Sequence, residues 1–107
     1  INHTVVVRDE LLAAHPGLAA SLFRAFAESK RLYVEKLKAG QIAKLTAVDE
    51  LHKKVMDMTG RDPLPYGIEP NRQTVQQVID YALEQGIITK RVTIDSLFAA
   101  ETLGLVG

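Results

Sequence analysis

At 107 residues, with 47% hydrophobic side chains and a mean hydropathy of +0.02, the chain has a globular composition and room for one core. Thirteen basic residues balance thirteen acidic ones, so no net field draws the chain onto nucleic acid or an anionic lipid surface. No apolar run approaches the roughly 20 residues of a spanning helix, and the lack of cysteine excludes disulfides and thiolate chemistry and fits a cytoplasmic protein.

The sequence opens Ile1-Asn2-His3 and runs directly into Thr4 to Arg8, whose three successive Val residues predict a strand buried on both faces. Only Arg91 to Ile94 has comparable character later on, so that strand's partners are expected in upstream sequence outside this chain. Asp9 is expected to cap a short helical turn over Glu10 to Ala14, and Pro16 to end it and occupy the first position of a new helix. That helix is predicted from Leu18 to about Lys38. Its apolar stripe is Leu18, Leu22, Phe26, Tyr33 and Leu37, with Phe23 alongside, while Glu28, Lys30, Arg31, Glu35, Lys36 and Lys38 occupy mostly other faces. Gly40 supplies a left-handed cap.

A third helix is expected from about Ile42 to Met58, on Ile42, Leu45, Val48, Leu51, Val55 and Met58, with Gly60 ending it. Residues 61–70 carry three prolines and a glycine, which predicts a stiff, irregular loop. Glu69 or Asn71 starts the next helix, which carries Val75, Val78, Ile79, Ala82 and Leu83 at helical spacing. Gly86 closes it, with Ile87 placed for an accompanying hydrophobic contact. Thr93 is expected to cap a last short turn through Phe98, and residues 99–107 to fray. The fold class read from these elements is mostly α, about four helices plus one N-terminal strand.

The three histidines, His3, His15 and His52, show no i, i+4 pair that would put two imidazoles on one metal. The seven glycines form neither a dinucleotide fingerprint nor a phosphate-binding loop, and no cofactor is expected. His15 reads as a capping or surface residue and His52, beside Lys53 and Lys54, as solvated. His3, at the start of the expected strand, is where side chains of open α/β sheets face a ligand crevice. The proline-rich loop sets Tyr66, Glu69, Asn71 and Arg72 near a helix N-terminus, where Arg72 can grip a carboxylate in bidentate fashion. On the competing reading Asn71 only caps, Tyr66 packs and Arg72 is exposed. Phe23, Phe26, Tyr33 and Phe98 are expected in the core.

Three stretches carry a resemblance: His3-Thr4-Val5-Val6-Val7-Arg8-Asp9; His15-Pro16 followed by Ala20-Ser21-Leu22-Phe23-Arg24-Ala25-Phe26; and Pro65-Tyr66-Gly67-Ile68-Glu69-Pro70-Asn71-Arg72-Gln73-Thr74. With Tyr81-Ala82-Leu83-Glu84-Gln85-Gly86 and Leu97-Phe98, residues 2 to 103 resemble the carboxy-terminal third of the 4,5-dihydroxyphthalate decarboxylase family. The family usually has an aromatic residue where Leu64 stands, a departure that bears on the substrate more than on the fold. The resemblance implies that the chain is a single carboxy-terminal segment of an α/β protein. That protein would have a two-lobed, type II periplasmic-binding-protein-like fold with a cleft between its lobes. Implied too are loss of carbon dioxide from a dihydroxylated aromatic diacid, His3 as the catalytic acid/base, Arg72 as the carboxylate anchor, and Tyr66 and Asn71 as orienting hydrogen-bonders. The expected partner is a small aromatic carboxylate, and the fragment alone is expected to be inactive and to self-associate through apolar surface. Because the same fold serves transport, the alternative is the binding subunit of a transporter for a small organic anion.

Overall fold

The computed structural model describes residues 3–107, so Asn2, where the resemblance begins, lies outside the described residues. Four α-helices follow in order, α1 (Asp9–Ala14), α2 (Leu18–Lys38), α3 (Ala47–Thr59) and α4 (Arg72–Glu84). Three short 3-10 turns accompany them, over Glu69–Asn71, Ile94–Leu97 and Ala100–Thr102. The chain is mostly helical, as expected, but the expected N-terminal strand is not seen. Residues 3–8 are irregular, and Val5 and Val6 are 64% and 86% exposed. A strand exists only through its ladder, and among the described residues the only β pairing is one antiparallel bridge between Gly67 and Val106. Arg91 to Ile94 forms no strand either, since Ile94 opens a 3-10 turn.

Helix α2 starts at Leu18 as expected, but the N-terminal caps depart from the local reading. Arg8, not Asp9, takes the N-cap position of α1, and its side chain makes no capping bond. Pro16 lies in a turn, and Gly17, at φ 85°, fills the N-cap position of α2. With no capping side chain nearby, the first amides of α2 are served from far along the chain: a Glu101 carboxylate oxygen accepts from Ala19 N (2.9 Å) and Ala20 N (3.3 Å). The third helix begins at Ala47, not Ile42, because Thr46 and Asp49 close a reciprocal capping box.

The ends fit the sequence better. Gly40, Gly60 and Gly86 all adopt positive φ. At α4, Gly86 N donates to Leu83 O and Ile87 N to Ala82 O, the double bond of a Schellman ending. Ile87 itself is 72% exposed, so its expected hydrophobic contact is not made; Ile88 packs on the core instead.

The inner face of α2 is also displaced. Its buried residues are Ala20, Lys30, Val34 and Leu37, with Phe23 and Ala27 half-buried on the same line, whereas Phe26 is 46% exposed. Small residues are needed there, because Gly107 lies so close that a Cβ on it would sit 2.6 Å from the Ala27 methyl. Helix α4 packs Ile79 against Ile68 and Ile94, with Val75, Leu83, Ile88, Val92, Phe98 and Leu103 around them. Residues 99–107 do not fray. They form the Ala100–Thr102 turn, cap α2 through Glu101, and pair with Tyr66 and Gly67. No helix among the described residues is long and apolar enough to cross a membrane.

Candidate functional site

Three prolines deprive residues 61–70 of helical and ladder bonds, so side chains and the tail must hold this loop. Asp62 begins it. One carboxylate oxygen accepts from Leu64 N (2.8 Å) and the other is bonded by Lys30 Nζ, whose side chain is only 8% exposed. Burial pushes the Asp62 carboxyl up, but the Lys30 ammonium and the Leu64 amide outweigh it and hold the carboxyl below its ordinary range. The same ammonium lies 5.4 Å from the centre of the Tyr66 ring, on its face.

Tyr66 N donates to Gly107 O (2.8 Å) and Gly107 N to Tyr66 O (3.2 Å), so the tail makes a two-bonded pair with the loop. Next comes Gly67 at φ 111°, where a Cβ would sit 2.4 Å from Leu105 O; both backbone conformation and space demand glycine. Ile68 inserts into the core at 5% exposure. Asn71 Nδ2 then reaches back to Pro65 O (2.8 Å) and Gly67 O (2.9 Å) and closes the loop on itself. It occupies the N-cap position of α4 without a side-chain capping bond, so its amide clamps the loop instead.

Arg72, the first residue of α4, is gripped by Glu69 through Nε (3.1 Å) and Nη2 (2.5 Å), with Asp95 3.5 Å from Nη2. These contacts hold Glu69 below its usual carboxylate range. Nη1 donates no hydrogen bond among the described residues. Arg72 borders an open groove of about 430 Å³ along α4, lined also by Gln73, Gln76, Gln77, Asp80 and Ile94. Asp80 in that groove is engaged by Arg91 (2.6 Å) and Gln76 (3.1 Å), which lower its carboxyl.

Tyr66, Asn71 and Arg72 are therefore gathered at one loop–helix junction, each half-buried. His3 is exposed, and no hydrogen bond or ion pair among the described residues ties it to them. Nor do any three His, Cys, Asp or Glu side chains among the described residues gather where a metal ion could sit.

Sequence reasoning missed two polar groups. Lys30 was expected on an outer face and is instead the buried partner of Asp62 and Tyr66; a lysine in step with Ala20, Phe23, Ala27, Val34 and Leu37 was the available signal. His52, expected to be solvated, is half-buried with its Nδ1 3.0 Å from Tyr33 Oη and its ring edge-on to Tyr33.

The chain is similar to a decarboxylase. Over 105 residues, 96% of its length, it is 27% identical to a 4,5-dihydroxyphthalate decarboxylase of Comamonas testosteroni, of which the match covers 32%. The chain thus spans about a third of the length of the curated relative it matches. No family model matches it, and no solved structure does.

Proposed function

We propose that the chain is the carboxy-terminal third of a two-lobed, type II periplasmic-binding-protein-like decarboxylase acting on a dihydroxylated aromatic diacid. The observation that carries this reading is the similarity to 4,5-dihydroxyphthalate decarboxylase along nearly the whole chain. Its support in the structure is the anchoring of the Pro65 to Arg72 segment, the stretch of most specific resemblance, by Lys30, Gly107 and Asn71.

In 4,5-dihydroxyphthalate each ring carboxylate is para to a hydroxyl. Electron release from that oxygen lets the ring carbon accept a proton; the bond to the carboxylate carbon then breaks, carbon dioxide leaves, and the electron pair restores the ring. The site needs an acid for the carbon, an acceptor for the phenol and a cation for the carboxylate that stays. Arg72 is the anchor through Nη1, with Glu69 and Asp95 fixing its orientation. Asn71, its Nδ2 committed to the loop, offers Oδ1 as the acceptor, and Tyr66 Oη, which makes no hydrogen bond among the described residues, is the second orienting group. His3 is the acid/base, delivered across the cleft by the lobes that complete the protein.

The test is carbon dioxide release from 4,5-dihydroxyphthalate by the longer protein this reading requires, with binding followed in parallel. Arg72→Ala is expected to raise KM by about tenfold or more through loss of the charge-assisted pair, and His3→Ala to lower kcat by about 10² or more. Tight binding without turnover would move the protein to the transport-receptor class, and absence of both would sink the proposal.

A further inference from the structure

Arg72, Gln76 and Asp80 follow one another at i, i+4 and i+8 on α4, so they stand in one line along the groove they share with Ile94. The line carries a cation at the start of the helix and a carboxylate two turns on, with an amide between them. Asp80 settles how that amide is turned. Arg91 and Gln76 hold the Asp80 carboxyl below its ordinary range, so it is ionised and its Oδ1 can only accept. Gln76 must therefore give it Nε2 (3.1 Å), and Gln76 Oε1 is left as an acceptor with no donor among the described residues. The neighbouring glutamines are not set in this way. Gln73 and Gln77 are exposed where Gln76 is half-buried, and Gln77 meets only the Tyr81 hydroxyl, which can donate as well as accept and so fixes no orientation.

We infer that Gln76 is the specificity-determining residue of this site, its Oε1 accepting the proton of the ring hydroxyl para to the carboxylate that stays on Arg72. The inference rests on the decarboxylase reading and adds to it the class of ring that the groove selects, one with a hydrogen-bond donor opposite the anchored carboxylate. Four residues of helix rise about 6 Å, which is also the span of a benzene ring from a carboxylate to the oxygen para to it. A carboxylate held by Arg72 therefore brings that hydroxyl level with Gln76. The other hydroxyl, para to the carboxylate that leaves, goes to Asn71 Oδ1, so each hydroxyl has its own acceptor. Only that other hydroxyl releases electrons to the carbon that takes the proton. The one facing Gln76 is meta to it and does no work in the reaction, so its acceptor serves recognition alone. A ring lacking this donor leaves Oε1 to water, and in an open groove the difference is that of one hydrogen bond, about tenfold in affinity.

Titration calorimetry on the longer protein that the decarboxylase reading requires, with 4,5-dihydroxyphthalate and phthalate as ligands, tests this. Phthalate keeps both carboxylates and lacks both hydroxyls. Wild type is expected to bind the dihydroxylated acid about tenfold or more tightly than phthalate. Gln76→Met keeps the side chain's length and its helix preference but removes the acceptor. It is expected to weaken binding of the dihydroxylated acid about tenfold and to leave phthalate unchanged, whereas Arg72→Ala is expected to weaken both. Equal weakening of the two ligands by Gln76→Met would overturn the inference and make Gln76 a structural residue. Unchanged binding of the dihydroxylated acid would overturn it by giving the hydroxyl another partner. Wild type binding neither acid would bring down the decarboxylase reading and this inference with it, whereas a failure confined to Gln76→Met leaves that reading standing.

Discussion

Tyr33 has one hydroxyl proton, and Asp49, 2.6 Å away and held below its ordinary range by that bond and by the Thr46 amide and hydroxyl, takes it. The contact with His52 Nδ1 must then be a bond from Nδ1–H to the tyrosine oxygen. Burial, together with the Asp49 carboxylate, pushes the Tyr33 hydroxyl up to about 12. Because the folded value lies above the ordinary one, the stabilisation is complete below pH of about 10 and is lost as pH rises towards 12. Tyrosinate absorbance is expected to show a late step towards pH 12, and Tyr33→Phe to abolish it; if the variant kept that step, the Tyr33–Asp49 bond would be refuted as its cause. Lys30 gives a second prediction. Lys30→Met keeps the stem but strands Asp62, and with Asp62 36% exposed the expected loss is about 1–2 kcal/mol, below the figure for a fully buried pair. Asp62 works with the opposite sign to Tyr33: its carboxyl is depressed, so its contribution is present above the ordinary aspartate range and fades as pH falls. Urea titrations at neutral pH and at about pH 3 should therefore show the Lys30→Met deficit shrinking in acid.

At the scale of elements, the molecule divides by the reach of the interactions that set each boundary. Endings made by local residues were legible, as the left-handed glycines at 40, 60 and 86 show. The start of α3 was legible in principle, because Thr46 and Asp49 have the spacing of a capping box, but Ile42 and Leu45 continue the apolar period backwards and draw the helix too early. Thr46→Ala is expected to cost about 1 kcal/mol and to fray the first turn of α3, read by thermal unfolding and by exchange at the Asp49 amide. The start of α2 at Leu18 was legible, but its cap was not, since the capping carboxylate comes from Glu101, on the far side of the loop and α4. The same limit explains Phe26 and Lys30. The stripe through Phe26 satisfies the helical period, and only the closeness of Gly107 to Ala27 and the position of Asp62 show that the helix faces inward along the line through Lys30. In the candidate site, the clustering of Tyr66, Asn71 and Arg72 followed from their adjacency in sequence, whereas the clamp of Asn71 on Pro65 and Gly67 needed the folded loop.

At the scale of the molecule, the radius of gyration is 16.4 Å, against about 13 Å for a compact domain of this length. Six apolar residues are buried among those described, and the interior is correspondingly thin. Such a chain depends on long-range ties, and several of them run through residues 99–107. This segment caps α2 through Glu101, adds Leu103 to the core, bridges Gly67 through Val106, and closes the two-bonded pair with Tyr66 through Gly107. Deleting it removes a helix cap worth about 1 kcal/mol and the partial burial of Leu103 worth about 1 kcal/mol, a large share of the stability of so small a core. Amide exchange on a chain ending at Phe98 is therefore expected to show Ala19, Ala20 and Tyr66 losing protection together, although they lie on separate elements, while the central amides of α3 keep theirs. If Tyr66 stayed protected after the deletion, the tail would not be the strap that holds the Pro65 to Arg72 segment. The anchoring would then fall to Asn71, Lys30 and Asp62, and Lys30→Met, not the deletion, would be the change that loosens the candidate site.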